Sequence, residues 1–214
     1  MFALKKEIKT LLAKKDFASL QKLYSVDKKV ITTLISLSYD KSNNIAWRSI
    51  EAIGILSGNI AKVDSEIVRN MVGRLLWMIR DESGGIGWSV PEILGEIVRN
   101  NPELCADIAP IIASFHEEKM LTPGVLWALS RMGKLNPDTV DYAIPIIRSY
   151  ISDNAIKNRC YAAKALGELG TVDDLKNLEK LKTDNNIIDI YENGELVKKT
   201  VGEIAEEAIA KINT

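Results

Sequence analysis

Residues 159–170, Arg159-Cys160-Tyr161-Ala162-Ala163-Lys164-Ala165-Leu166-Gly167-Glu168-Leu169-Gly170, set a glycine, Gly167, inside a helical pattern of apolar residues. A glycine in a helix interior costs about 1 kcal/mol relative to alanine, so its position asks for a reason. Three earlier stretches repeat the arrangement: Trp47 to Gly54, Trp88 to Gly95 and Leu126 to Gly133. The four glycines stand 41, 38 and 34 residues apart. A large apolar residue precedes each one (Ile53, Leu94, Met132 and Leu166). Three positions before each lies a polar residue: Glu51, Glu92, Ser130 and Lys164. A recurring spacing of this size marks an internal repeat. A glycine kept at one slot predicts that neighbouring helices approach closely there.

Working outward, the helical period covers almost the whole chain. The spacing predicts helices over 2–14, 16–25, 28–39, 43–58, 64–80, 88–100, 102–116, 123–135, 137–151, 154–169, 172–182 and 201–212. Over 64–80, Ile67, Val68, Met71, Val72, Leu75, Leu76 and Ile79 form one stripe, with Arg69, Asn70 and Arg74 opposite. Asp64 stands where an N-cap belongs. Asn101-Pro102, Thr122-Pro123 and Asn136-Pro137 pair a polar cap with a proline at the first helical position. Thr171 with Asp174, and Thr200 with Glu203, have capping-box spacing. One segment breaks the pattern. Residues 187–192 and 195–200 alternate around Asn193-Gly194, the strongest short hairpin signal, because both turn positions need a positive φ. A two-residue turn pairs Glu192 with Glu195, Tyr191 with Leu196, Ile190 with Val197 and Asp189 with Lys198. A lone hairpin is marginal in water, so one face is expected to lean on the final helices.

On these residues the chain resembles the HEAT-like, armadillo-type repeat family. Residues 159–170 look like the inner helix of a HEAT-like repeat of the variety also found in phycobilisome lyases, and 173–181 look like the outer helix that opens the next repeat. The earlier repeats fit more loosely, with Ala46, Gly87 and Val125 at the slot of Arg159. With its Asp81-Glu82-Ser83-Gly84-Gly85-Ile86-Gly87-Trp88 segment, the whole chain also looks like an uncharacterised group of prokaryotic HEAT-like proteins of similar length. The resemblance implies an all-α, right-handed α-α superhelix, a HEAT-like solenoid over residues 1–214 as one domain, with one β-hairpin inserted at about 187–200. It also implies binding on the concave face, by analogy of fold.

Composition bounds the function. The 214 residues are 46% hydrophobic and 27% charged, with formal net charge −1. A chain of this length buries roughly 70% of its unfolded surface. Near-neutral charge argues against nucleic acid as partner, since a phosphate-backbone binder carries a strongly basic face. Two cysteines and one histidine are too few for a closed zinc site of those residues alone. No cofactor and no metal are expected. The start mixes lysines into its apolar positions, unlike a signal peptide, and no run approaches the ~20 apolar residues of a membrane span. A cytoplasmic location without membrane contact is expected, with Cys105 and Cys160 as buried thiols.

The site candidates are surface features. Trp47, Trp88 and Trp127 fall at or next to one repeat slot, so stacking brings them into a row that either anchors a partner or packs repeats together. The glycine-rich turn after Arg80 is the most unusual stretch, yet it lacks the strand and Gly-Lys-Ser/Thr of a phosphate loop. Asp81, Glu82, Glu92 and Glu96 match no known cation loop. His116, the single histidine, is read as structural. The first 30 residues hold eight lysines and three acids, read either as a solvated solenoid cap or as a contact for an acidic partner or nucleic acid. The expectation is a non-catalytic interaction or scaffolding module. Its concave face, with Arg80, Asp81, Glu82, Trp88, Glu92, Trp127 and Arg131, takes a protein or peptide. The alternative is a HEAT-fold enzyme, such as an alkylated-base DNA glycosylase using Trp88 with Glu92 or Trp77 with Asp81, or a bilin-lyase-like protein.

Overall fold

The computed structural model describes residues 2–80, 87–133 and 137–214. In chain order the helices are α1 (Phe2–Ala13), α2 (Phe17–Val26), α3 (Lys29–Leu37), α4 (Asn44–Ala61), α5 (Ser65–Arg80), α6 (Val90–Asn100), α7 (Pro102–Cys105), α8 (Ala109–Ser114), α9 (Thr122–Met132), α10 (Pro137–Ser149), α11 (Ile156–Leu169) and α12 (Leu175–Leu181). Strands β1 (Ile187–Glu192) and β2 (Glu195–Thr200) follow, and α13 (Val201–Ile212) closes the chain.

Local chemistry sets most of these boundaries. Asn43 accepts the Ala46 N–H at the start of α4, and Asp64 accepts the Glu66 N–H at the start of α5. Both expected capping boxes form, at Thr171/Asp174 and Thr200/Glu203. Two expected caps do not. The Asn101 amide donates instead to the Ser57 hydroxyl and the Ile97 carbonyl, and Thr122 lies inside α9 with its hydroxyl on the His116 carbonyl. The helix expected over 102–116 is broken into α7, a 3₁₀ turn at Ala106–Ile108, and α8. Pro110 stands in the first turn of α8, where its missing N–H costs nothing; deeper inside one long helix it would remove a bond and clash.

The helices stack in two layers. In the inner layer α4 packs on α6, α6 on α9, α9 on α11 and α11 on α13. Outside it, α5 covers α4 and α6, α8 covers α6 and α9, α10 packs on α8 and α11, and α12 on α13, while α1, α2 and α3 gather on α4. This is a HEAT-like α-solenoid. Three of the four aligned glycines stand at inner crossings. A Cβ on Gly54 would fall 2.8 Å from Glu96, one on Gly95 2.6 Å from Ala128, and one on Gly167 2.8 Å from Ala208. Gly133 differs: it caps α9 with φ of +66°, and a Cβ there would meet nothing within 4 Å. Its slot matches the others by sequence, but its reason is backbone conformation rather than a tight crossing.

Trp47 on α4 and Trp127 on α9 reach towards each other past the intervening α6, and their ring centroids are 5.1 Å apart. The hairpin has the expected register, Glu192 opposite Glu195 and Ile187 opposite Thr200, with φ of 50° at Asn193 and 82° at Gly194. It leans on α11 and α13 as expected, but it also crosses the inner face to the far end of the stack. Among the described residues no helix is long and apolar enough to cross a membrane.

Candidate functional site

The inner face is built around α4. This 18-residue helix carries only two charged residues, Arg48 and Glu51, and both meet the hairpin. Arg48 is 6% exposed. Its guanidinium donates to the Gly194 carbonyl (2.8 Å), to the Leu12 and Ala13 carbonyls, and to Glu195 (2.6 Å). Glu51 accepts the Tyr191 hydroxyl, and burial together with that carboxylate holds this hydroxyl well above its ordinary pKa. Tyr191 stacks on Trp47, with ring centroids 5.6 Å apart and planes 12° from parallel. Asn44 donates to Glu195 and accepts the Leu196 N–H. From the other side Lys164 of α11 binds Glu192. Adjacent hairpin residues thus hold α4 and α11 together. The paired Glu192 and Glu195 do not oppose each other at a cost: Lys164 and Lys199 take one, Arg48 and Lys15 the other.

The chain's own hairpin therefore occupies the part of the inner face beside α4 and α11. Of the residues expected to line it, Trp127 is 1% exposed and packs under Trp47, so it is a core residue. Glu92 is 2% exposed; its Oε1 accepts from Lys41 at 2.6 Å, and Lys41 also donates to the Trp88 carbonyl. Arg131 lies over the Trp127 ring and binds Glu96, which is 1% exposed and has its pKa raised by burial despite that arginine. Trp88 is half exposed, away from the Trp47–Trp127 pair, and Arg80 is exposed at the end of α5. Asp81 and Glu82 lie outside the described residues. Of the five described residues of the expected working surface, Trp127 and Glu92 are thus interior, Arg131 is half-buried, and Arg80 and Trp88 are exposed. What sequence reading missed is Arg48 and Tyr191. Their signal was available: a helix of 18 residues with one cation and one anion, both on its packed side.

One open surface lies on the outer side. Tyr24, Ile31, Ile35 and Tyr39 form one wall, Ile67, Met71, Leu75 and Met78 the other, and Ile60 the floor of a groove of about 480 Å³ between α3 and α5. The α5 stripe explains it. Val68, Val72 and Leu75 are buried, but Ile67 is 44% exposed and Met71 half-buried, so the stripe is wider than the surface that covers it. Among the described residues, the charged ones that line the groove are Lys28, which lies over the Tyr24 ring, and Arg74, and no carboxylate lines it.

A cleft of about 360 Å³ opens where Lys41, Glu92 and Trp47 meet Lys157, Tyr161 and β1. Among the described residues no group of three or more His, Cys, Asp or Glu is arranged to hold a metal ion.

No family model matches the chain. An uncharacterised protein of Archaeoglobus fulgidus is 24% identical over 179 residues, which cover 81% of this chain and 92% of that one. Among solved structures, the crystal structure of an engineered protein is similar over 99% of both chains, with 15% identity and a TM-score of 0.50, which shows a shared fold. An archaeal HEAT-like repeats protein from Thermococcus onnurineus NA1 aligns over 97% of this chain and 80% of its own, at 13% identity and a TM-score of 0.42.

Proposed function

We propose that this chain is a non-catalytic interaction module that receives an acidic amphipathic helix of a partner protein in the groove between α3 and α5. The observation that carries this is the unfinished burial of the α5 stripe, from Ile67 to Met78, inside a groove whose charged lining residues, among the described residues, are the cations Lys28 and Arg74. Those residues span about 16 Å of helix, so the groove accommodates about three turns of a partner. Apolar side chains at i, i+3, i+4 and i+7 supply affinity in such a site. Lys28 and Arg74 select carboxylates on the flanks, and steer the encounter. Around the groove, residues 17–39 and 62–80 carry Lys22, Lys28, Lys29, Lys62, Arg74 and Arg80, with Arg69 paired to Asp107, against Asp27, Asp64 and Glu66. Of the lysines in the basic start of the chain, Lys28 lines the groove itself.

The test uses a synthetic leucine-rich amphipathic peptide with glutamates on its flanks, and the same peptide with lysines there, followed by fluorescence anisotropy. The acidic peptide is expected to bind, more weakly as salt rises. Ile67→Glu and Arg74→Glu, both surface changes, are expected to weaken it at least tenfold, and Trp88→Ala to leave it unchanged. Equal binding of the two peptides, or indifference to Ile67→Glu, would overturn the reading.

A further inference from the structure

The outer face of α1 carries charge that the fold does not use. Lys5, Lys6, Lys9 and Lys14 are exposed, and among the described residues none of them belongs to an ion pair. Lys15, the next lysine, does belong to the fold: it pairs with Glu195 and donates to the Asn193 carbonyl. At about 100° per residue, Phe2, Lys6, Lys9 and Ala13 fall on one stripe of α1, with Lys5 beside it. Ile8 and Leu12 are buried in the core. Glu7, the one acid of the helix, stands off the stripe, and among the described residues no carboxylate lines this face. The arrangement does not serve stability. Lys5 and Lys9 are like charges one turn apart, which repel on a helix surface. Lys5 and Lys6 also lie towards the positive end of the helix dipole, with no acid in the first turn. The helix is nonetheless held in place, since Arg48 donates to the Leu12 and Ala13 carbonyls at its end. A fixed helix thus presents a row of cations to an anion outside the fold.

The kind of anion follows from what the face lacks. It is the convex side of a single helix, and Thr10 and Ala13 are the only other residues between the lysines. A partner protein draws its affinity from buried apolar anchors, and a bilayer from an apolar helix face laid into it. The apolar side of α1 is already spent inside the protein. A phosphate backbone needs only cations, and lysine ammoniums supply them. Lys5 and Lys9 stand about 6 Å apart along the helix axis, and Lys14 extends the track to about 14 Å. At its start Phe2, 88% exposed, holds out a free aromatic ring. A cationic track beside a ring on which bases stack is how single strands are held without regard to sequence. The net charge of −1 does not oppose this, because the first 30 residues hold eight lysines and three acids and the negative excess lies in the rest of the chain. Exposed charges more than about 8 Å away are largely screened at physiological salt, so a phosphate at α1 meets the local charge. We propose that the outer face of α1 binds single-stranded nucleic acid, with phosphates along Lys5, Lys6, Lys9 and Lys14 and a base stacked on Phe2.

Fluorescence anisotropy of the full chain with a labelled oligothymidylate tests this, beside a labelled duplex, poly-L-glutamate and phosphatidylserine vesicles. The oligothymidylate is expected to bind more tightly than the other three. Its binding should weaken with salt, the logarithmic slope growing by ~0.7 for each phosphate neutralised. Lys5→Gln combined with Lys9→Gln changes exposed residues, so the fold persists; it is expected to lose tenfold or more and to lower the slope by about 1.4. Phe2→Ala is expected to remove the preference for the single strand and to leave duplex binding unchanged. Ile67→Glu in the outer groove is expected to leave nucleic-acid binding intact, which keeps this site distinct from peptide docking. Absence of oligothymidylate binding at low salt, or an unchanged slope in the double lysine variant, would overturn the proposal. Equal or tighter binding of poly-L-glutamate or of the vesicles would overturn it in favour of an acidic polypeptide or a membrane surface.

Discussion

At Gly95 an added methyl group would stand 2.6 Å from the Ala128 Cβ and 2.9 Å from its Cα, so helices α6 and α9 would have to separate. Gly95→Ala is therefore expected to destabilise by about 1–3 kcal/mol, the usual cost of overpacking. Gly133→Ala is expected to cost a similar ~1–3 kcal/mol for another reason: φ of 66° with ψ of −160° is a region open to glycine alone. Gly73 lies exposed within α5 with nothing within 4 Å of a Cβ, and Gly73→Ala is expected to stabilise by up to ~1 kcal/mol. Denaturant melts of the three variants check the series. Burial pushes the Cys160 thiol up to about 12, and the Cys105 thiol is raised too, chiefly by burial. Both are expected to resist a thiol reagent at neutral pH in the native protein and to react once it is unfolded. At this scale the recurring glycine was legible, because a helix crossing and a helix end demand the same residue. Which demand applies was not, since a crossing depends on the neighbouring helix and a cap on the local φ.

The hairpin separates what is local from what is not. Its register followed from Asn193-Gly194 and the alternation beside it, all within a few residues. Its seat on α4 rests on Arg48 meeting Glu195, 147 residues away, which no local pattern encodes. Glu195 is largely exposed, but Arg48 is buried, and removing it leaves the Gly194, Leu12 and Ala13 carbonyls without their donor. Arg48→Ala is expected to cost about 1–3 kcal/mol in a thermal or denaturant melt. Arg48→Lys should recover only part of this, because an ammonium lacks the planar fork that reaches three carbonyls and a carboxylate. Among the outer elements, Asp174 shows how acid acts. Burial raises its pKa, but the Arg148 guanidinium and the Thr171 N–H more than offset this and leave it below its ordinary value of 3.8. A depressed folded pKa contributes stability above the unfolded value and loses it as pH falls through the folded one. Stability is thus expected to drop below about pH 4, where the carboxylate protonates. Asp174→Asn should be less stable at neutral pH and show a shallower acid loss.

Across the whole molecule, an open solenoid is held by contacts between neighbouring repeats, and its stability is close to a sum over them. Here the hairpin adds bonds between the two ends of the stack, Arg48 with Glu195 and Lys15 with the Asn193 carbonyl. Unfolding is expected to be a single transition, with far-ultraviolet dichroism and tryptophan fluorescence changing together. The same closure covers part of the inner face, while the groove beside α5, the docking surface we propose, stays open. The amphipathic stripe at 64–80 was legible, but its width relative to its cover was not, because cover is a property of the assembled layers. The account turns on the hairpin being locked against α4 and α11 rather than resting loosely on the end of the chain. Native-state hydrogen exchange reads this directly. The account predicts that the interstrand hydrogen-bonded amides of β1 and β2 exchange only through the global opening, at the rate of the most protected amides of α4 and α11. Strand amides that exchange much faster than those helices, as in a hairpin that opens by itself, would contradict it.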